Sequence, residues 1–191
     1  MPRASTTPFF WYYFSKFWFW ITGWKLVSRV PPGIPKSIMI AAPHTSNWDL
    51  IYARGSFFLM NAPIRFTVKK EWVDNPVVGW LIRSLGALAV DRSRNNSLVE
   101  GMVQLFQERE ELVIMITPEG TRQYQPRWRK GFYHAALGAN VPILLGFLDY
   151  KNKESGVGGP IYPTGDYETD LEQIQAFYRT KTGKFPEKGV R

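Results

Sequence analysis

Short apolar runs alternate along this chain with longer stretches of helical pattern, and that alternation restricts the fold more than any other feature. Strands are expected at 37–42, 65–69, 87–90, 112–116 and 142–148, and helices at 48–60, 76–84, 95–110, 130–139 and 168–180. Strand, helix and strand in succession are built as parallel strands joined by crossovers. The alternation therefore predicts an α/β fold, a largely parallel sheet covered by helices. No repeat, low-complexity tract or internal linker divides the chain, which points to a single α/β domain over 33–191 preceded by an aromatic arm over 1–32. At 191 residues and 45% hydrophobic content the chain can bury a substantial core and is not disordered. Residues 151–163, rich in glycine and charge, read as a hairpin or an exposed excursion before the last helix, for which Thr164 or Asp166 supplies the cap.

Two expected strands run into loops that carry chemistry. Ile38-Met39-Ile40-Ala41-Ala42 leads to Pro43-His44-Thr45-Ser46-Asn47-Trp48-Asp49, which pairs the commonest biological general base with a carboxylate able to orient it. A five-residue step turns through about 140° on a regular helix, so His44 and Asp49 meet only if the chain bends between them. Thr45, Ser46 and Asn47 are candidate N-caps for a helix starting at Trp48, which sets His44 on the loop and Asp49 in the first turn. The carboxylate can then accept a hydrogen bond from one imidazole nitrogen, leaving the other to take a proton from a hydroxyl. A lone His-x4-Asp also arises by chance around a loop-filling histidine, so the pair needs support from elsewhere. Thr117-Pro118-Glu119-Gly120-Thr121-Arg122 follows the run Leu112-Val113-Ile114-Met115-Ile116 and shares the same sheet edge. Ligands of open α/β sheets bind at that edge, and a carboxylate, a glycine, a hydroxyl and a guanidinium together suit a polar, phosphorylated acceptor. A third short strand after Gly86 delivers Arg92 at its end.

Taken in order, these segments resemble the four motif blocks of the glycerol-phosphate and 1-acylglycerol-3-phosphate (lysophosphatidic acid) acyltransferase family. His44 and Asp49 match the first block, Gly86 and Arg92 the second, Pro118 to Arg122 the third, and Val141-Pro142-Ile143 the fourth. The resemblance implies transfer of a fatty acyl group from a thioester, acyl-CoA or acyl carrier protein, to a hydroxyl of a lysophospholipid, with no other cofactor. It makes His44 the base and Asp49 its orienting partner. It also implies that Arg92, Glu119, Gly120, Thr121 and Arg122 hold the acceptor, with the two arginines at its phosphate. Three departures leave the acceptor open, a lyso-aminolipid among the alternatives. Pro43 stands where asparagine is common, Gln123 where serine or threonine is usual, and Leu145-Gly146 replaces a second proline.

Eleven of the chain's thirty aromatic residues fall between Phe9 and Trp24. That stretch is shorter than the roughly 20 apolar residues a membrane-spanning helix needs. Aromatic rings favour the headgroup boundary, and with Lys16, Lys25 and Arg29 alongside, residues 8–29 read as an anchor lying on a membrane rather than a helix packed on the domain. A formal charge of +8 and a pI near 9.7 fit an anionic lipid surface. Charge and aromatics alone would also suit a non-catalytic membrane or nucleic-acid binding module. The motif blocks favour the lipid enzyme at the cytoplasmic face of the cell membrane, peripheral or monotopic, with no nucleic-acid partner. The absence of cysteine excludes disulfides and thiolate catalysis, and His44 and His134 stand too far apart for a chelating motif, so no metal is expected. His134, in an apolar helical stretch, reads as structural.

Overall fold

The computed structural model describes residues 7–69, 74–77, 79–80, 86–90 and 98–191; Arg92 and most of the helix expected at 76–84 lie outside these residues. In chain order the elements are α1 (Phe9–Thr22), β1 (Lys25–Leu26), β2 (Lys36–Ala41), α2 (Trp48–Met60), β3 (Ile64–Lys69), β4 (Ala87–Val90) and α3 (Leu98–Glu108). Then follow β5 (Leu112–Ile116), α4 (Gly131–Ala139), β6 (Ile143–Asp149), β7 (Glu154–Ile161), α5 (Tyr167–Arg179) and a 3₁₀ turn at Pro186–Lys188. The seven strands form one sheet in the order β1-β7-β6-β2-β5-β3-β4. Every neighbouring pair is parallel except β6 and β7. The largely parallel α/β sheet expected from the alternation is the fold the chain adopts.

The inner strands show no polar alternation because both of their faces are covered. Ile38, Met39 and Ile40 of β2, Val113 and Ile114 of β5, and Ile143 and Leu144 of β6 are completely buried. On one face Ile38, Ile40, Ile114 and Ile143 pack with Met102 and Phe106 of α3, Phe132 and Tyr133 of α4, and Ile174 and Tyr178 of α5. On the other, Met39, Val113 and Leu144 meet Phe57 and Met60 of α2. Each such side chain contributes about 1.5–3 kcal/mol on burial, so these two layers hold the sheet rigid beneath its loops.

Residues 151–163 take the hairpin form of the two readings. The chain reverses after β6 and β7 returns antiparallel along it, Asp149 opposite Glu154. Asp166 caps α5, its carboxylate accepting the Thr169 N–H at 3.3 Å. Thr164 instead donates its hydroxyl to buried Asp170, which also accepts from the Tyr133 hydroxyl at 2.6 Å. His134 is exposed on α4, so the apolar stretch around it is one face of a helix rather than a burial site for the imidazole.

The arm divides into two faces. Ser15 and Phe19 of α1 are buried against α2, where Gly55 makes room: a Cβ there would lie 2.9 Å from the Phe19 ring. Trp24, just past the helix, is buried and stacks on Tyr52 with ring centroids 4.2 Å apart. β1 then adds to the edge of β7, so residues 24–26 are built into the domain. The opposite face of α1 is open, with Phe9, Phe10, Phe17 and Trp20 all more than half exposed. Among the described residues no helix is long and apolar enough to cross a membrane.

Topology brings the two motif loops together. β2 and β5 lie side by side and parallel, Ile40 opposite Ile116, so the loops that follow them open at the same edge.

Candidate active site

Between β2 and α2 the chain bends tightly enough for Asp49 to reach back over the residues before it. His44 Nδ1 lies 3.0 Å from Asp49 Oδ2. The same oxygen accepts the N–H groups of Thr45 at 2.8 Å and Ser46 at 2.9 Å. The Tyr150 hydroxyl, in the turn after β6, donates to Asp49 Oδ1 at 2.7 Å. Burial opposes a charge on Asp49, yet the hydrogen bonds from His44, Tyr150, Ser46 and Thr45 outweigh it and hold the carboxyl below its ordinary value. An ionised carboxylate only accepts, so Nδ1 carries the imidazole proton and Nε2 presents its lone pair. Of the three candidate caps, Asn47 occupies the N-cap position without a side-chain bond, and Ser46 Oγ takes the Trp48 N–H at 3.2 Å.

The loop after β5 supports this pair from below. Glu119 is buried, and its Oε2 accepts the His44 backbone N–H at 2.9 Å. Burial pushes its carboxyl up to about 7; the His44 hydrogen bond offsets part of that, while the Asp49 charge adds to it. Gly120 turns the chain at φ +66°, and the Arg129 guanidinium packs so closely that a Cβ would come within 2.7 Å of its central carbon. A side chain here would have to displace the arginine as well as adopt a left-handed backbone. Arg122 is exposed at the end of the loop.

A cavity of about 340 Å³ runs from His44, Asp49 and Arg122 between α2 and the sheet. Leu50, Ala53, Phe57 and Met60 of α2 and Phe66 and Met115 of the strands make it largely apolar. Arg54 enters the same wall, its guanidinium 4.3 Å from the centre of the Phe58 ring. Burial and the neighbouring Arg65 lower the Arg54 pKa to about 10. Gly146, one of the departures at the fourth block, also lines the cavity, and a Cβ there would meet Met39 Sδ at 3.0 Å. The arrangement is a polarised imidazole at one end of an apolar chamber, with a guanidinium beside it. His44, Asp49, Glu119, Gly120, Thr121 and Arg122 are thus brought together, whereas Arg92 lies outside the described residues.

A sequence profile described as Acyltransferase matches residues 28–145, more than half of the chain. The chain belongs to the acyltransferase family. Among this family member's relatives, a 1-acyl-sn-glycerol-3-phosphate acyltransferase of Pseudomonas aeruginosa is 28% identical over 142 residues, covering 68% of this chain and 52% of that protein. One of the same name from Limnanthes douglasii is 31% identical over 134 residues, covering 65% of this chain and 45% of that protein. The chain therefore spans about half the length of these curated relatives. The crystal structure of the 1-acyl-sn-glycerophosphate acyltransferase PlsC from Thermotoga maritima superposes with a TM-score of 0.57 at 18% identity, covering 87% of this chain and 74% of that one. At that identity the likeness is one of fold.

Two parts of the site fall beyond the matched segment and beyond the motif blocks. Tyr150 supplies one of the four donors to Asp49, but a tyrosine after a strand carries no motif that sequence reading could use. The segment after α5 returns to the site: Thr182 O accepts the Tyr150 N–H at 2.8 Å, and the Phe185 N–H reaches Thr45 Oγ1 at 3.3 Å. Its lysines are visible in the sequence, but only the fold brings them alongside Arg122.

Proposed function

We propose that this protein is a membrane-associated O-acyltransferase that moves a fatty acyl group from an acyl thioester, acyl-CoA or acyl carrier protein, to a hydroxyl of a lysophospholipid such as 1-acylglycerol-3-phosphate. The observation that carries the reading is His44: its Nδ1 is fixed by an ionised Asp49, and it forms part of the wall of an apolar cavity that Arg122 also lines. In this reading the donor's acyl chain lies among Leu50, Ala53, Phe57 and Met60. The acceptor hydroxyl attacks the thioester carbonyl as His44 Nε2 takes its proton, forming the new C–O bond. Collapse of the tetrahedral intermediate breaks the C–S bond, and the imidazolium returns the proton to the departing thiolate. Asp49 keeps the tautomer correct and stabilises the imidazolium while it exists. No acyl-enzyme is required, because the thioester is already activated. By resemblance alone, Arg122 and Arg92 would serve the acceptor's phosphate.

The open face of α1 supports contact with a bilayer, since Phe9, Phe10, Phe17 and Trp20 would place apolar rings at the headgroup boundary. That contact, on the cytoplasmic face of the membrane, would bring the cavity to a lyso-lipid seated in the bilayer. The reading is tested by thiol release from palmitoyl-CoA in liposomes with a panel of acceptors: lysophosphatidate, lysophosphatidylethanolamine, a lyso-aminolipid and none. Acceptor-dependent release with a matching diacyl product supports it. Release that no acceptor accelerates, with carrier-protein thioesters as well, would reduce the protein to a thioesterase or a binding module.

A further inference from the structure

A second opening adjoins the apolar cavity and has the opposite chemistry. This groove of about 540 Å³ is lined on one side by Thr45 to Trp48 and on another by Thr121, Arg122 and Gln123. Its third side is the segment after α5, through Lys184, Phe185 and Lys188. Asn47 and Arg122 line both openings, so the groove lies directly beside the chamber that His44 lines.

The C-terminal segment is held against the His44 loop at several points. Its Thr182 N–H points to Asp149 Oδ1 at 3.4 Å, and the Phe185 N–H donates to Thr45 Oγ1 at 3.3 Å. Gly183 packs so tightly that a Cβ would fall 2.8 Å from Thr45 Cγ2. Thr45 is itself one of the residues whose N–H holds Asp49. The lysines are positioned in turn by rings: Lys184 Nζ lies 4.8 Å from the centre of the Trp48 ring, and Lys188 Nζ the same distance from that of Phe185. Among the described residues neither lysine nor Arg122 makes an ion pair with a carboxylate. Three cations facing one groove without a counter-charge repel one another and are relieved by an anion.

We infer that Arg122, Lys184 and Lys188 form a binding site for a phosphate monoester of a substrate, so that the C-terminal segment is a working wall of the active site. The inference rests on the proposed acyl transfer for the identity of that substrate, because two phosphate monoesters would then come to this edge. One is the headgroup of the lyso-acceptor, the other the 3′-phosphate of coenzyme A. Both are dianions that two lysines and an arginine would grip through charge-assisted hydrogen bonds.

The test uses the full chain, Lys184→Ala/Lys188→Ala against wild type, with Arg122 untouched. Binding of coenzyme A, dephospho-coenzyme A, a short-chain lysophosphatidate and the matching monoacylglycerol is titrated by calorimetry without membranes, and KM and kcat are measured alongside. The double variant is expected to bind one of the two phosphate monoesters about tenfold more weakly, while kcat at saturation changes by less than about threefold. Loss for coenzyme A but not its dephospho form assigns the donor; loss for lysophosphatidate but not monoacylglycerol assigns the acceptor. Recovery in Lys184→Arg/Lys188→Arg with unchanged circular dichroism separates lost charge from lost structure. Equal affinity of wild type and double variant for both monoesters would overturn the inference, as would a defect seen only with anionic vesicles, which would make these lysines membrane contacts. Because the titrations need no turnover, a protein that binds phosphate monoesters here yet transfers no acyl group would refute the proposed reaction and leave the groove standing.

Discussion

Glu119 holds a carboxyl in a place that favours its neutral form, and replacing it by glutamine should make the protein more stable, but only where the acid is charged. The residue is 5% exposed and its carboxyl is pushed up to about 7 from an ordinary 4.5. With its folded value above the unfolded one, the native state holds a proton between about pH 4.5 and 7 that the unfolded chain has released, so stability falls as pH rises through that window. Two and a half units at about 1.4 kcal/mol each give roughly 3 kcal/mol lost by pH 8. Glu119→Gln keeps an oxygen for the His44 N–H, now 2.9 Å from Oε2, and removes the charge. Urea unfolding of both proteins at pH 4.5 and pH 8 reads the difference directly: near zero at the lower pH, and about 2–3 kcal/mol in favour of the variant at the higher. A gap independent of pH, or a variant less stable at pH 8, would refute the reasoning. Either would mean that the charge on Glu119 is compensated within the loop.

Tyr150→Phe removes the hydroxyl 2.7 Å from Asp49 Oδ1 and should lower kcat about tenfold with little change in KM, measured by thiol release; an unchanged kcat would show that three donors position Asp49 well enough. Tyr178→Phe strips a fully buried hydroxyl that lies 2.9 Å from Ile40 O and 3.1 Å from Gly146 O, and should cost about 1–2 kcal/mol in urea unfolding. Phe10→Ser/Trp20→Ser alters only the open face of α1 and should release the protein from anionic liposomes in a flotation assay while leaving its thermal midpoint unchanged; retained binding would remove α1 from the membrane contact. Point changes suit this purpose better than removal of residues 1–30, because Trp24, β1 and buried Val30 belong to the domain.

The central strands were legible because their residues are apolar without interruption. Ile38 to Ala41 and Leu112 to Ile116 sit between two helical layers and have no solvent-facing position to mark with a polar residue. The hairpin after β6 was harder, since Gly156, Gly158 and Gly159 dilute the strand signal of β7. Two of those glycines serve packing: a Cβ on Gly158 would strike Phe177 at 2.6 Å, and one on Gly156 would meet Ser28 Oγ. β1 has two residues and exists only because β7 offers an edge. At the site, the His44 and Asp49 spacing could be read together with the need for a bend. What the sequence could not show was Tyr150, 101 positions from Asp49 along the chain, or the lysines that reach the site after the last helix. Those contacts depend on where β6 and α5 end, which is a property of the packed sheet. The N-terminal arm shows a different limit. Its aromatic residues alone do not separate a membrane-facing helix from a packed one, and α1 has one face buried against α2 and one face open.

His44, held by Asp49, is the proposed base for acyl transfer. The most direct test of that role is acceptor-dependent thiol release by His44→Ala and Asp49→Asn beside wild type, with coenzyme A binding titrated on the same preparations. With His44 as the base, kcat is expected to fall about a thousandfold in His44→Ala and strongly in Asp49→Asn, with coenzyme A bound as tightly as by wild type. Turnover by His44→Ala within tenfold of wild type would contradict it and move the chemistry away from this pair.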